Sequence, residues 1–291
     1  MRLASFVVDG RETYGLVVED DGLIDLGAVL VADAPDLITL IASGRAHELT
    51  APFADRPVDY RFGEVRFLPS LPHPGVILSG GGNFPKHIAE MTRGGLRNGP
   101  PANPVFHVKS PRTLVGHMEP LVKPAATETF DWENEFAVVI GKGGRHVSRD
   151  QAMDHVFGYC ILQDGSMRDF QFDHSPAAGK SFFRSSSLGP WIMTADEIGD
   201  ISTLMVRTRL NGATVQEECV GDLSFPIDLL ISYYSTIFPL RPGDIITSGS
   251  AGGVGYFMEP PTYMVAGDEI EFEVDRLGVM KHRVIDEAED D

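Results

Sequence analysis

An apolar strand that carries acidic residues is the feature that most constrains this chain. The stretch FDWENEFAVVIGK, residues 130–142, is rich in Phe, Trp, Val and Ile and lacks proline, which is typical of a β-strand. Side chains alternate between the two faces of a strand, so Glu133 and Glu135 point the same way. Carboxylates this close repel each other, and burial strengthens the repulsion. The pair therefore requires either a cation between them or surrounding water.

Short strands and turn residues predict a β-rich, mixed α+β chain with a small first domain. Residues 1–70 contain apolar strands joined by Asp-Gly turns and one short helix ending at Gly44, which indicates a small N-terminal α/β domain. The proline-rich stretch PSLPHPG, residues 69–75, marks the predicted boundary. Residues 71–285 form the predicted second, larger domain, and the acidic residues 286–291 are predicted to form a solvated, disordered tail.

The second domain shows no regular alternation of strands and helices. A buried strand, a glycine turn and a helix with Pro85 in its first turn are predicted from residue 76 onward. The stretch 92–104 contains too much glycine and proline for regular structure and predicts a mobile loop. Further strands are predicted at 105–109, 133–140, 156–163, 204–210, 244–248 and 269–274, and short helices at 149–154, 194–197 and 224–235.

Charge excludes several classes of partner. The 24 Lys and Arg residues against 42 Asp and Glu give a net charge of −18, which repels nucleic acid and anionic membrane surfaces. An anionic substrate would therefore need a site with its own positive charge. Cys160 and Cys219 form no disulfide framework, no secretory signal is visible, and no apolar run is long enough to span a bilayer, so a cytoplasmic location is expected.

A third carboxylate extends the acidic pair. The strand-like run HVFGYCILQD ends at Asp164, and if its strand lies beside that of Glu133 and Glu135, three carboxylates converge. Such an all-oxygen site suits a hard cation, Mg²⁺ or Mn²⁺, or Ca²⁺ if more oxygens join. The alternative is a solvated strand face with scattered acids and no metal.

A histidine and a glutamate form the second candidate group. His87 and Glu90 are three residues apart on the helix of NFPKHIAEM, so they are neighbours on its surface. A carboxylate beside an imidazole can orient it as a general base. The alternative is an ordinary surface pair.

Two further stretches could bind anions. QDGSMRDFQ and AGKSF supply Arg168, Gln171 and Lys180, which could stabilise anionic intermediates, although Arg168–Asp169 could be a structural pair and Lys180 could face water. ITSGSAGGVG, residues 246–255, could expose backbone N–H groups to an anion or could simply be a tight β-turn. The spacings of a dinucleotide fingerprint, a phosphate loop and a serine-hydrolase elbow are all absent from these stretches.

These stretches together resemble the fumarylacetoacetate hydrolase family. The resemblance rests on GGNFPKHIAE, FDWENEFAVVIGK, VFGYCILQDGSMRDFQ, GKSF with LGPWIMT, LNG followed by Gln, and RPGDIITSGSAGGVG followed by GD, in that order over about residues 70–285. It implies a mixed β-sandwich roll as catalytic domain, a homodimer, and one divalent metal held by Glu133, Glu135 and Asp164.

The resemblance also implies roles for the other candidates. His87 and Glu90 match a water-activating pair, and Lys180 a group that steadies the oxyanion. The predicted substrate-binding residues are Lys109, Arg168, Gln171 and Ser250.

A small anionic 2-oxo acid is the substrate class that the resemblance implies. The first expectation is metal-dependent hydrolysis of a carbon–carbon bond in an acylpyruvate or 2,4-dioxo acid. The same machinery could decarboxylate, hydrate, dehydrate or isomerise a 2-oxo acid, and the sequence leaves these reactions open. The alternative outside the enzymes is a non-catalytic domain in which the acidic residues form a structural Ca²⁺ site.

Overall fold

The structure, a computed structural model, describes residues 1–288 of the 291-residue chain. Its strands are β1 (Arg2–Val8), β2 (Arg11–Val18), β3 (Gly22–Asp25), β4 (Tyr60–Arg61), β5 (Arg66–Phe67), β6 (Ile77–Gly81), β7 (Val105–Lys109), β8 (Leu114–Val115), β9 (Leu121–Lys123), β10 (Phe130–Asp131), β11 (Asn134–Ile140), β12 (Val156–Gln163), β13 (Ser166–Met167), β14 (Ser186–Thr194), β15 (Met205–Leu210), β16 (Ala213–Cys219), β17 (Ile245–Ser250), β18 (Glu269–Val274) and β19 (Gly278–Asp286). Its α-helices are α1 (Leu26–Val29), α2 (Leu37–Ala42), α3 (Ala46–Thr50), α4 (Pro85–Arg93), α5 (Arg168–Asp173), α6 (Pro176–Gly179), α7 (Ala195–Ile198) and α8 (Ile227–Ile237). The prediction of a β-rich, mixed α+β chain is confirmed.

Seventeen of these strands form two packed sheets, and β10 and β13 pair separately as a two-stranded sheet. The larger sheet has the order β4-β3-β2-β1-β14-β12-β11-β17-β6-β7, with β5 paired to β1 and β8 to β14. The smaller sheet has the order β16-β15-β18-β19-β9. Most neighbouring strands are antiparallel, but β17 runs parallel to β6, β14 to β8 and β19 to β9. The fold is therefore a mixed sheet and not a series of parallel crossover units.

Strand β11 lies in the centre and is buried on both faces. Phe136 and Val138 belong to the hydrophobic cluster between the two sheets, where Val206 and Phe272 of the smaller sheet also pack. Ala137, the residue between them, belongs to a second cluster on the opposite face of the large sheet. Burial on both faces explains why this strand reads as a continuous apolar run.

The N-terminal residues extend the large sheet. Strand β1 pairs antiparallel with β14, with Arg2 opposite Met193 and Leu3 opposite Ile192. The second hydrophobic cluster joins side chains of residues 1–70 to those of β11, β12 and β14. Residues 1–70 thus cover one face of β11, β12 and β14, and the domain boundary at residue 70 stays a prediction from sequence.

Predicted and observed elements agree best where the apolar pattern is strong. The predicted strands 105–109, 156–163 and 269–274 coincide with β7, β12 and β18. The predicted helix at 149–154 is a 3₁₀ helix, Arg149–His155. Among the elements that the sequence analysis did not predict are β14, β16, β19, α5 and α6, and these two helices have only six and four residues.

Two boundary predictions need correction. Helix α4 begins at Pro85, as predicted, but continues to Arg93, so the segment without helix or strand begins at residue 94 and ends at 104. The predicted tail begins too early, because Asp286 is the last residue of β19 and pairs with Lys123. Residues 289–291 of that tail lie outside the described residues. Within residues 1–288, no helix combines the length and apolar character needed to cross a bilayer.

Candidate active site

Three carboxylates converge where β11 begins and β12 ends. These strands are antiparallel neighbours, with Asn134 opposite Gln163, so Glu133 and Glu135 lie beside Asp164. One oxygen from each carboxylate lies within 4.8 Å of the others. The exposed fractions are 5% for Glu133 and 0% for Glu135 and Asp164. The alternative of a solvated strand face is therefore wrong.

Lys180 lies between two of these carboxylates. Its Nζ donates hydrogen bonds to Glu133 Oε2 and Asp164 Oδ2, both at 2.7 Å, and to Ser166 Oγ at 2.9 Å. Lys109 Nζ lies 2.7 Å from Asp164 Oδ1 and is fully buried. The lysines supply part of the positive charge that the acidic pair requires. The alternative in which Lys180 faces water is wrong, because that side chain is 5% exposed.

Arg168 compensates Glu133 and a fourth buried carboxylate, Asp131. Its Nη1 donates to Glu133 Oε1 at 2.7 Å and to Gln171 Oε1 at 2.9 Å, and its Nε donates to Asp131 Oδ2 at 2.7 Å. Asp169 instead accepts hydrogen bonds from threonine hydroxyls. The alternative of a structural Arg168–Asp169 pair is therefore wrong, because the guanidinium instead binds the buried carboxylates of Asp131 and Glu133.

The surroundings lower the pKa values of Glu133 and Asp164 and raise that of Glu135. Burial raises the pKa of Glu133, but Lys180 and Arg168 outweigh it and hold that pKa at about 2. Burial also acts to raise the pKa of Asp164, but Lys109 and Lys180 outweigh this effect and lower that pKa below its ordinary value. Burial together with the Asp164 and Glu133 carboxylates raises the pKa of Glu135 well above its ordinary value. Glu135 is thus the carboxylate with the weakest positive compensation.

The donor set fits a hard divalent cation. Glu135 Oε2 accepts hydrogen bonds from Ser79 and Thr247, whereas its buried Oε1 has no hydrogen-bond partner among residues 1–288. A buried carboxylate oxygen without a partner is costly unless a cation or water binds it. Oxygen ligands are those that Mg²⁺, Mn²⁺ and Ca²⁺ prefer. Glu133, Glu135 and Asp164 could therefore hold the predicted ion.

His87 and Glu90 meet on helix α4. His87 Nδ1 lies 3.2 Å from Glu90 Oε2, and Glu90 Oε1 accepts a hydrogen bond from the Gly253 N–H at 2.7 Å. The glycine turn after β17 thus fixes the carboxylate, which in turn orients the imidazole. His87 is only 6% exposed, so the alternative of an ordinary surface pair is wrong.

One cavity of about 240 Å³ brings these groups together. The predicted site residues that line it are His87, Glu133, Arg168, Gln171, Lys180 and Ser250. The other predicted residues, Lys109, Glu90, Glu135 and Asp164, are not among the lining residues and support those that are. Ser250 pairs with Glu135 across β17 and β11, and its hydroxyl accepts a hydrogen bond from Gln216 at 3.1 Å.

Three residues of the site were missed in the sequence. Asp131, on β10, binds Arg168 and lies two positions before Glu133, so the same two-residue spacing could have identified it. His107 lies 3.4 Å from Asp164 Oδ2, and burial together with Lys180 and Lys109 lowers its pKa to about 4. Arg97 lines the cavity from the segment after α4, and no sequence pattern marks it.

Comparisons with known proteins match nearly the whole chain. Residues 77–285 match the family described as fumarylacetoacetate (FAA) hydrolase C-terminal. Oxaloacetate tautomerase YisK of Bacillus subtilis (strain 168) is 33% identical over 305 residues, covering 98% of this chain and 100% of that protein. The structure of fumarylacetoacetate hydrolase (EaFAH) from psychrophilic Exiguobacterium antarcticum has a TM-score of 0.83 at 30% identity, covering 99% of this chain and 100% of that one.

A second solved structure adds a bound ion. Maleylpyruvate hydrolase from Sphingobium sp. SYK-6, in complex with manganese(II) ion and pyruvate, has a TM-score of 0.79 at 30% identity and covers 99% of this chain and 100% of that one. The likeness over nearly the whole chain confirms the β-sandwich roll that the sequence resemblance implied. Hydrolases and a tautomerase thus share this fold, so the fold alone leaves the reaction open.

Proposed function

The chain belongs to the fumarylacetoacetate hydrolase family, and on that premise we propose that it catalyses keto–enol tautomerisation of a short 2-oxo dicarboxylic acid such as oxaloacetate. One observation carries the proposal: the same small cavity is lined by His87 and by the charged cluster of Glu133, Arg168 and Lys180. Tautomerisation needs a base for a carbon-bound proton and a polar environment that stabilises the enolate oxygen.

His87 is the proposed base. Glu90, held by the Gly253 N–H, accepts a hydrogen bond from Nδ1 of the imidazole. That arrangement assigns the proton of the neutral ring to Nδ1 and leaves Nε2 free to accept a proton. Nε2 then removes the proton from the carbon next to the keto group. General base catalysis of this kind typically contributes about 10²–10⁴-fold.

Lys180, Arg168 and Gln171 are the proposed partners of the substrate oxygens. When bound at Glu133, Glu135 and Asp164, a divalent cation would polarise the 2-oxo group as a Lewis acid. Lys180 lies within hydrogen-bonding distance of two of those carboxylates and lines the cavity, so its ammonium can stabilise negative charge on the 2-oxo oxygen. The proton that Nε2 of His87 takes from carbon is then transferred to that oxygen, which completes the enol and returns the imidazole to its neutral form.

Two observations favour tautomerisation over hydrolysis, which the sequence resemblance put first. The cavity of about 240 Å³ is smaller than the ~300–1,000 Å³ that is typical of ligand sites, which favours a four-carbon acid. The similarity to an oxaloacetate tautomerase extends over 98% of the chain. Tautomerisation also requires no ordered water between the base and a second carbonyl.

Hydrolysis of an acylpyruvate is the second candidate. Its support is the likeness to maleylpyruvate hydrolase over 99% of the chain, together with a His–Glu pair that could equally activate water. The proposed cofactor is the same for both reactions, Mg²⁺ or Mn²⁺, with Ca²⁺ as a further possibility. The homodimer and the cytoplasmic location stay predictions from sequence.

A tautomerisation assay on metal-stripped protein tests the proposal. Enol oxaloacetate is mixed with protein, with Mg²⁺ or Mn²⁺ restored, and its loss is followed by ultraviolet absorbance beside a panel of acylpyruvates. We expect acceleration with metal, and a loss of about 10²–10⁴-fold in His87→Gln. His47→Gln is the matched control, because His47 also lies 3.2 Å from a carboxylate but is exposed. Cleavage of acylpyruvates without any acceleration of tautomerisation would overturn the proposal in favour of hydrolysis.

A further inference from the structure

Arg97 occupies a distinctive place at the cavity. It belongs to residues 94–104, the segment without helix or strand between α4 and β7, and it lines the cavity together with the Gly80–Gly82 turn. A Cβ atom at Gly82 would lie 3.5 Å from both Cζ and Nε of Arg97. Gly82 has φ +60°, a conformation that glycine adopts readily. The turn and the guanidinium therefore pack closely against each other.

The guanidinium of Arg97 is free of carboxylate partners. Arg168, the other arginine that lines the cavity, is bound to Asp131 and Glu133. Across residues 1–288, by contrast, no carboxylate lies within 4.0 Å of a nitrogen of Arg97. Several other arginines of residues 1–288 also have no carboxylate within 4.0 Å, but Arg97 is the one among them that lines the cavity. Arg97 is half-buried, which leaves its donors accessible to a ligand in the cavity.

The charges of the buried cluster indicate what such a ligand would be. When all are ionised, the four carboxylates of Asp131, Glu133, Glu135 and Asp164 exceed the three cations Lys109, Arg168 and Lys180 by one negative charge. A divalent cation changes the balance to one positive charge, which the carboxylate next to a 2-oxo group neutralises. A second carboxylate on the substrate would then have no compensating charge in the cluster.

We propose that Arg97 binds the second carboxylate of a dicarboxylic substrate and selects dicarboxylic over monocarboxylic 2-oxo acids. The inference rests on the proposed tautomerisation and specifies its substrate class. The planar guanidinium offers paired N–H donors that match a carboxylate in a bidentate arrangement. Its position outside the buried cluster separates recognition of the distal carboxylate from the chemistry at the 2-oxo end.

A matched pair of substrates tests Arg97. Oxaloacetate and 2-oxobutyrate have the same chain length and differ by a distal carboxylate in place of a methyl group. Exchange of the proton on the carbon next to the keto group is measured for both by NMR in deuterated buffer. In Arg97→Gln we expect kcat/KM for oxaloacetate to fall about 10- to 100-fold, chiefly through KM, and that for 2-oxobutyrate to stay unchanged. Arg93→Gln, on the exposed end of α4, should change neither value.

Binding measurements separate this inference from the proposed reaction. Calorimetric titration of metal-loaded protein with 2-hydroxysuccinate and 2-hydroxybutyrate requires no turnover. Arg97→Gln should weaken the first about 10- to 100-fold and leave the second unchanged. Equal weakening of both ligands, or of neither, would overturn the role of Arg97. Exchange of neither substrate by the wild-type protein would overturn the tautomerisation, while the titration would still decide on Arg97.

Discussion

Replacing Lys180 by methionine should destabilise the metal-free protein more than any surface lysine substitution. Methionine keeps most of the volume of the side chain but removes its charge and its donors. Lys180 Nζ now donates at 2.7 Å to both Glu133 Oε2 and Asp164 Oδ2. The three side chains are between 0% and 5% exposed, so methionine would leave two largely buried carboxylates without the ammonium that lies between them.

The size of the effect follows from burial. Removing one partner of a buried ion pair leaves an uncompensated charge and typically costs about 3–5 kcal/mol. We expect a loss of that size in the free energy of unfolding of Lys180→Met in the presence of a chelator. A divalent cation at the neighbouring carboxylates should offset part of this loss, because a ligand at about 100 times its Kd stabilises the folded state by about 2.7 kcal/mol.

Urea denaturation with a chelator and with excess Mn²⁺ measures both effects. Lys281→Met is the matched control, since Lys281 Nζ lies 2.8 Å from Glu271 Oε1 but its side chain is 60% exposed. Exposed pairs are worth about 0.2–1 kcal/mol, so this variant should stay close to the wild type. Equal stability of the two variants in chelator would refute the reasoning that buried compensation by Lys180 holds the acidic cluster together.

Two further outcomes are expected. Burial lowers the pKa of His117 to about 4 and that of His282 to about 3, so the unfolded chain, with histidine pKa values near 6.5, binds protons that the folded chain does not. The free energy of unfolding should be at its full value above pH 6.5 and should fall, below pH 6.5, by about 1.4 kcal/mol per pH unit for each of the two histidines. Urea denaturation midpoints at pH 7.5 and pH 5 check this. Replacing either histidine by phenylalanine should reduce the dependence of stability on pH. Gly253→Ala should lower both activity and melting temperature, because its Cβ would lie 1.9 Å from a carbonyl oxygen and its N–H holds Glu90. Gly267→Ala is the matched control, because Gly267 has a φ of +99° against +101° for Gly253 but a Cβ there would meet no atom within 4 Å. It should lower the melting temperature much less, and equal losses in the two variants would contradict the clash at Gly253.

Local periodicity accounts for what the sequence predicted about the site. Alternation along a strand placed Glu133 and Glu135 on one face, and helical spacing placed His87 beside Glu90. Both patterns need only neighbouring residues, so both could be read without a fold. The same two-residue spacing includes Asp131, although that residue lies on β10, which pairs with β13 in a separate sheet.

Strand order accounts for much of what the sequence left open. The pairing of β1 with β14 joins the N-terminal residues to the catalytic sheet, although 191 positions separate Arg2 from its partner Met193. Pairing between distant strands depends on which edges meet, and no local pattern encodes that. Helices α5 and α6 have only six and four residues, too few to show a periodic pattern.

The sequence by itself determined that acidic, basic and imidazole groups exist in patterns suited to a metal-assisted reaction on an anion. Only the tertiary structure decided how their charges are compensated. It placed Lys180 between Glu133 and Asp164, bound Arg168 to Asp131 instead of Asp169, and left Arg97 without a carboxylate at the cavity. The physical reason is that electrostatic energy depends on distance and burial, and both are properties of the folded chain.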